Sequence, residues 1–239
     1  PSYPNTVDVG YLKRWDKVTF NTSVYYQKST EVFTFIAEDS GQKVIVSEGE
    51  STTDFIEVPI IVRSPINIAE NNRTGFEFTL SYNPSRKSRI FLNFNLFNSE
   101  TIGIHEGVDL GRTNLSWFSR ANAKFTIFKD IDWQTQVFFR GPRETAQSKS
   151  RGMIFTSMAL SKDVFKKKGT LSFRVSDLFN TAMYRSETFT PTFTNDALYR
   201  RSLPSFNLSL TYRINQKDKP QSRRPQGGGG GNNDGGFGF

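Results

Sequence analysis

The sequence predicts an all-β protein, an antiparallel transmembrane β-barrel segment with short turns at one end and long connections at the other. Three observations carry this. Apolar and polar residues alternate with period two almost throughout, long stretches of 3.6-residue period are missing, and short and long connections alternate strictly between the alternating runs. A soluble sandwich has no reason to collect its long connections at one end.

The first element is weak: Val7, Val9 and Tyr11 alternate with Asp8, Gly10 and Leu12. The second is clear, with Val18, Phe20, Thr22, Val24 and Tyr26 on one face and Thr19, Asn21, Ser23, Tyr25 and Gln27 on the other. Phe76, Phe78, Leu80 and Tyr82 alternate with Glu77, Thr79 and Ser81. Ile90, Leu92, Phe94 and Leu96 alternate with Phe91, Asn93, Asn95 and Phe97. Trp117 to Ile127 and Trp133 to Phe139 follow the same rule, with Arg120, Asn122, Lys124, Gln134, Gln136 and Arg140 on the polar parity. From Met153 to Ser161 neither face is clearly polar, so the facing of that strand stays open. Leu171, Phe173 and Val175, and then Phe206 to Ile214, complete nine expected strands. Several of these runs approach the ~9–11 residues that a tilted strand needs to cross a bilayer.

The short connections are Arg14 to Lys17, Asn83 to Ser88, Phe128 to Ile131 and Lys162 to Lys168. The long ones are Ser29 to Arg73, Ser99 to Asn114, Gly141 to Arg151 and Ser176 to Pro204. The first long one reads as carrying its own hairpin, from Val32 to Ile36 and Val44 to Val46. Trp15 and Trp133 lie beside short turns, and Tyr26 and Phe139 toward long connections, where two interfacial aromatic girdles belong. Long connections are expected outside the cell and short turns in the periplasm. Nine strands that start at the outer face are an odd number, and bacterial single-chain barrels carry an even one. With no leader peptide visible before Pro1, the expectation is a piece that lacks upstream strands.

Composition agrees. Apolar residues make up 36%, low for a globular core but enough for a wall that needs one at every second position. The net charge of +8 fits turn and loop lysines near anionic headgroups. No helix-turn-helix, zinc-finger or RNA-binding signature supports a nucleic-acid partner. No window approaches eighteen consecutive apolar residues, so no transmembrane helix is expected.

No catalytic set is visible, and the expectation is a protein that is not an enzyme and holds no cofactor. Cysteine is absent and His105 is the one histidine, which rules out a transition-metal cage of thiolates and imidazoles and a Ser-His-Asp set beyond that residue. The carboxylate pairs Glu48/Glu50 and Asp130/Asp132 fall in a connection and at a turn, where solvated charge is the ordinary reading; no EF-hand spacing supports calcium. The glycine run Gly227 to Gly231 lacks the Lys-Ser/Thr end of a phosphate loop. The informative set is the polar parity itself. Glu77, Asn93, Asn95, Arg120, Asn122, Lys124, Gln134, Gln136, Arg140 and Arg174 are expected to point into the lumen, an Asn/Gln-rich lining that leans basic.

Several motifs resemble the C-terminal barrel of TonB-dependent receptors, and most of all the Bacteroidota-type outer-membrane β-barrel family related to them. Gly10-Tyr11 followed by Val24-Tyr25-Tyr26 resembles the family's first hairpin here. Arg73-Thr74-Gly75-Phe76-Glu77-Phe78 with Leu80-Ser81-Tyr82-Asn83-Pro84 resembles its next strand and turn. Gly141-Pro142-Arg143-Glu144-Thr145-Ala146-Gln147, Val175-Ser176-Asp177-Leu178-Phe179-Asn180 and Ser205 to Arg213 resemble later segments in the same order. The resemblance implies an outer-membrane wall in contact with lipid, completed by N-terminal strands and a plug. It implies import or binding of a large solute, with TonB and a surface lipoprotein as partners. The rival expectation is a structural barrel subunit of an outer-membrane assembly or secretion complex. Residues 1–214 are read as the barrel segment and residues 215–239 as a flexible Gly-rich periplasmic tail, since such composition buries too little surface to offset its ordering entropy.

Overall fold

The computed structural model describes residues 2–47, 55–105, 107–128, 130–190, 193–200 and 203–214. The tail expected at 215–239 lies outside the described residues.

Each alternating run forms a strand, because period two places every apolar side chain of the run on one face of the pleat. In chain order the elements are β1 (Tyr3–Arg14), β2 (Val18–Ser47), β3 (Phe55–Ser85), β4 (Ser88–Ile102), β5 (Ile104–His105), β6 (Val108–Asp109), β7 (Arg112–Ile127) and β8 (Ile131–Arg140). They continue as β9 (Arg143–Glu144), β10 (Ser148–Ser150), β11 (Met153–Val164), β12 (Gly169–Ser176), β13 (Met183–Phe189), β14 (Thr194–Arg200) and β15 (Ser205–Tyr212).

Nine of them form one antiparallel meander in the order β1-β2-β3-β4-β7-β8-β11-β12-β15, and these are the nine strands the alternation predicts. The four short connections are tight. Trp15 N–H donates to Val18 O at 2.7 Å, and the turn from β11 to β12 bends through positive φ at Phe165, Lys166 and Lys167. Register settles the strand whose facing alternation left open. Phe155, Ser157 and Ala159 of β11 stand opposite Phe138, Gln136 and Gln134 of β8, on the polar parity, while Ile154, Met158 and Leu160 share the apolar one.

The apolar face carries a row of touching rings across four strands: Phe78–Phe94 at 5.5 Å, Phe94–Trp117 at 5.9 Å and Trp117–Phe139 at 4.1 Å between centroids. Offset ring pairs of this kind add to the gain from burial.

The long connections depart from the expectation of loops. The first, Ser29 to Arg73, continues the barrel hairpin: β2 and β3 run 30 and 31 residues. At about 3.3 Å per residue, some two thirds of this arm stands beyond a bilayer crossing. Glu31, at φ 53°, marks where β2 leaves the barrel portion. Two other connections form a second sheet of order β14-β13-β10-β9, and the remaining one holds the small β5–β6 hairpin. Local alternation hid these strands, because Ser148–Ser150 and Arg143–Glu144 carry no apolar face of their own.

Where the arm passes these connections a small core forms. Ile36 and Leu110 are buried, with Ile66 and Ala146 packed on them. Gln147 ties the connections to the arm: it accepts from Ala37 N–H through Oε1 at 2.8 Å and donates from Nε2 to Ala37 O at 3.3 Å.

Candidate functional site

All ten expected lining residues fall on one face of the nine-stranded sheet. Glu77 stands opposite Asn95, Asn93 opposite Arg120, Asn122 opposite Gln136, Lys124 opposite Gln134, and Arg174 opposite Asn207. Arg140 stands opposite Phe118, itself the partner of Asn95. Directly opposed residues of antiparallel strands share a face, so this ladder carries one parity across seven strands. The face is not uniformly polar, since Phe91, Phe97, Phe118, Phe138 and Phe155 share it.

The ten residues separate into three groups. Glu77 and Asn95 sit at the centre of a hydrogen-bonded cluster. Asn95 Nδ2 donates to Glu77 Oε2 at 3.0 Å, Tyr25 Oη donates to Asn95 Oδ1 at 3.1 Å, and Ser23 Oγ donates to Glu77 Oε1 at 3.4 Å. Asn95 is only 6% exposed, so these bonds compensate its burial. Next to the cluster Asn93 Nδ2 donates to Thr79 Oγ1 at 3.1 Å.

The second group lies toward the short turns. Asn122, Lys124, Gln134, Gln136 and Arg174 line a recess of about 160 Å³, joined by Arg89. Lys124 is neutralised there by Asp132 at 2.6 Å, and Thr126 Oγ1 donates to the same carboxylate at 2.8 Å.

The third lies at the long-connection end, where Arg140 opens on a recess of about 290 Å³ bounded by the base of the arm and by the Gly141–Gln147 segment. Arg120, between the groups, stacks on Phe138 at 5.8 Å. The segment is seated against β7: Glu144 N–H donates to Asn114 Oδ1 at 3.2 Å, and Ser116 Oγ donates to Pro142 O at 3.2 Å. Gly141 is required at its start, because a Cβ there would stand 2.9 Å from Trp117 Cδ1.

Sequence reasoning missed Arg73, Arg112 and Arg143 of this recess. The alternation places Arg73 at the end of a connection, although it lies four residues before Glu77 on the same parity of one unbroken strand. Arg143 lies in a stretch without alternation, whose one signal is its resemblance to the family's motif. The Val175–Asn180 motif proves structural. Asp177, at 0% exposure and φ 53°, accepts from Thr181 N–H at 2.9 Å and from Ala182 N–H at 3.1 Å, and so turns the chain out of β12.

An antiparallel meander with one apolar face, one mixed polar face, tight turns at one end and folded connections at the other is the wall of an outer-membrane β-barrel. The chain belongs to the outer membrane protein beta-barrel family, whose model matches residues 1–212. No curated protein and no solved structure matches it.

Proposed function

We propose that this chain is part of the wall of a TonB-dependent-receptor-like transporter. On this reading the polar face lines the lumen and a large solute is bound at the long-connection end before passage. The observation that supports it most is the crowding of that end. The base of the arm, the connection that holds Thr101 and Leu110, and the Gly141–Gln147 segment converge over a recess on the polar face. A passive scaffold has no need to fold three connections around such a recess. The long connections then face outward, the short turns face the periplasm, and TonB and a surface lipoprotein are the partners this role calls for. The chain transforms nothing in this reading. Uptake of labelled oligosaccharides by cells with and without the full protein, with and without a protonophore, is the direct measurement. Protein-dependent, protonophore-sensitive uptake is the expected result, and equal uptake by both cell types sinks the reading.

One observation favours the structural-subunit alternative. The arm exposes Phe33, Ile45 and Phe55, at 60%, 66% and 62%. Stable co-purification of neighbouring outer-membrane proteins, lost when the arm is shortened, would support it.

A further inference from the structure

Among the described residues six lysine and arginine side chains form ion pairs with carboxylates. Lys28 meets Glu70 at 2.8 Å, Lys124 meets Asp132 at 2.6 Å, Lys162 meets Asp130 at 3.3 Å, and Arg185 meets Asp196. The recess at the long-connection end gathers guanidiniums that have no such partner. Arg73 from β3, Arg140 from the end of β8 and Arg143 from β9 converge on it, and among the described residues none of them forms an ion pair with a carboxylate.

Two of the three are oriented by rings. The Arg73 guanidinium lies over Phe97 at 4.7 Å, and that of Arg140 lies over Tyr184 at 5.1 Å. Stacking on a ring occupies the flat face of a guanidinium and leaves its in-plane N–H donors free. Arg73 Nε is buried and, among the described residues, has no acceptor. The charge of Arg143 acts on Arg73 with the same sign, so the pair repels. A buried, charged donor without an acceptor, next to a second cation, is costly to hold in an empty recess. An oxyanion removes both costs at once, because it accepts in-plane bonds from guanidinium forks and neutralises them.

We propose that Arg73, Arg140 and Arg143 form an oxyanion-binding site on the polar face, taking the carboxylate or sulfate of a compact acidic sugar. The recess of about 290 Å³ lies at the lower limit of the ~300–1,000 Å³ usual for small-molecule sites, so it holds one sugar unit or the end of a chain. The wall also holds the hydroxyls of Thr34, Ser99 and Thr101, while the Asn71 and Asn114 amides are already bonded within it and leave recognition of the anion to the arginines. Glu144, at its rim, disfavours any second anionic group close by. The proposal rests on the reading of this face as the solute path, but it is a claim about binding, which is measured without transport.

The experiment is calorimetric titration of the purified full-length protein in detergent with galacturonate, inorganic sulfate and galactose. Galacturonate is expected to bind at least tenfold more tightly than galactose, and more weakly as salt rises. Arg73→Gln is expected to lose tenfold or more, and Arg143→Gln, on an exposed two-residue strand where folding is not at risk, threefold or more. Lys13→Gln, on β1 and remote from the recess, leaves binding unchanged. Galactose binding as well as galacturonate, or unchanged affinity in both arginine variants, overturns the site. A third outcome also overturns it: no anion binds, yet Arg73→Gln lowers the melting temperature of the ligand-free protein. The arginines would then be satisfied by a carboxylate of the barrel's own interior. Anion binding without uptake sinks the transport reading alone, and uptake without anion binding sinks this site alone.

Discussion

The ring of Tyr25 covers Gly75, its direct partner in the β2–β3 ladder, so closely that a Cβ on residue 75 would stand 2.3 Å from Tyr25 Cζ. Fifty positions separate the two in the chain, and each belongs to a different sequence motif. The missing side chain of one makes the bed for the other. The ring, so placed, carries its hydroxyl to Asn95 and closes the cluster around Glu77.

Gly75→Ala is therefore expected to destabilise the barrel by about 1–3 kcal/mol, the usual cost of overpacking. In a Tyr25→Ala background the same change is expected to cost far less, because the two sites are in contact and couple. Urea unfolding of the four proteins of the cycle measures this. Additive costs would mean that the ring does not occupy the place described.

Asp177 predicts a local effect. Asp177→Ala removes the acceptor of two N–H groups beside a buried position, at about 1–3 kcal/mol for each left unsatisfied. Asp177→Asn keeps one acceptor oxygen and is expected to cost much less. Limited proteolysis reads the difference as new cleavage between Leu178 and Ala182 in the alanine variant. An identical digest of wild type and variant would refute the role.

The second sheet is expected to loosen in acid. Arg185 beside Asp196 holds that carboxyl below its usual range, by hydrogen bonding first and charge attraction second. A carboxylate whose folded pKa is depressed contributes stability above its unfolded pKa of about 3.9, and loses it as pH falls through the folded value. Amide exchange in β13 and β14 should therefore quicken below about pH 4 relative to β7 and β8. In Asp196→Asn the exchange should be faster at neutral pH already and less dependent on acid. Equal acid sensitivity in wild type and variant would assign the effect elsewhere.

The two faces can be distinguished chemically, because the sequence has no cysteine to remove first. In the full protein in cells, single cysteines at Gln136 and Ser209 are expected to react with a membrane-impermeant thiol reagent, and those at Val137 and Leu208 to resist it. Strong labelling at Leu208 with protection at Ser209 would reverse the faces.

What was legible in the sequence follows from range. Alternation and turns are local, so nine strands, their pairing order and the shared parity of the ten polar residues could be read from neighbours two positions apart. Contacts that need register could not. Tyr25 was visible on the polar parity, but its seat on Gly75 depends on the pairing of β2 with β3. Arg73 was lost because a strand that continues past the bilayer looks, to a pattern tuned to ~9–11 residues, like the start of a loop. The second sheet was lost because its short strands are held by backbone pairing and by side chains such as Gln147, not by an apolar face.

The ends of the meander carry the last prediction. Its order begins with β1 and finishes with β15, and among the described residues these two strands do not pair with each other. Among the described residues each has one ladder, β1 with β2 and β15 with β12, and the N–H and C=O groups of its other side pair with no strand. In water such an edge is solvated; in lipid each orphan group costs several kcal/mol. Even a handful of them on the 12-residue β1 outweighs the ~5–15 kcal/mol that holds a typical domain together. Both edge strands are exposed along their whole described length, and Val7 and Val9 on one, Leu208 and Leu210 on the other, keep an apolar row for lipid. The prediction is therefore that closure takes strands from other polypeptide, in the same protein or another. Residues 1–239 refolded alone in detergent are expected to aggregate, and to yield a compact, protease-resistant barrel only when the missing strands are co-expressed. A heat-modifiable monomer with full β signal, formed by this chain alone, would show that β1 and β15 find each other after all.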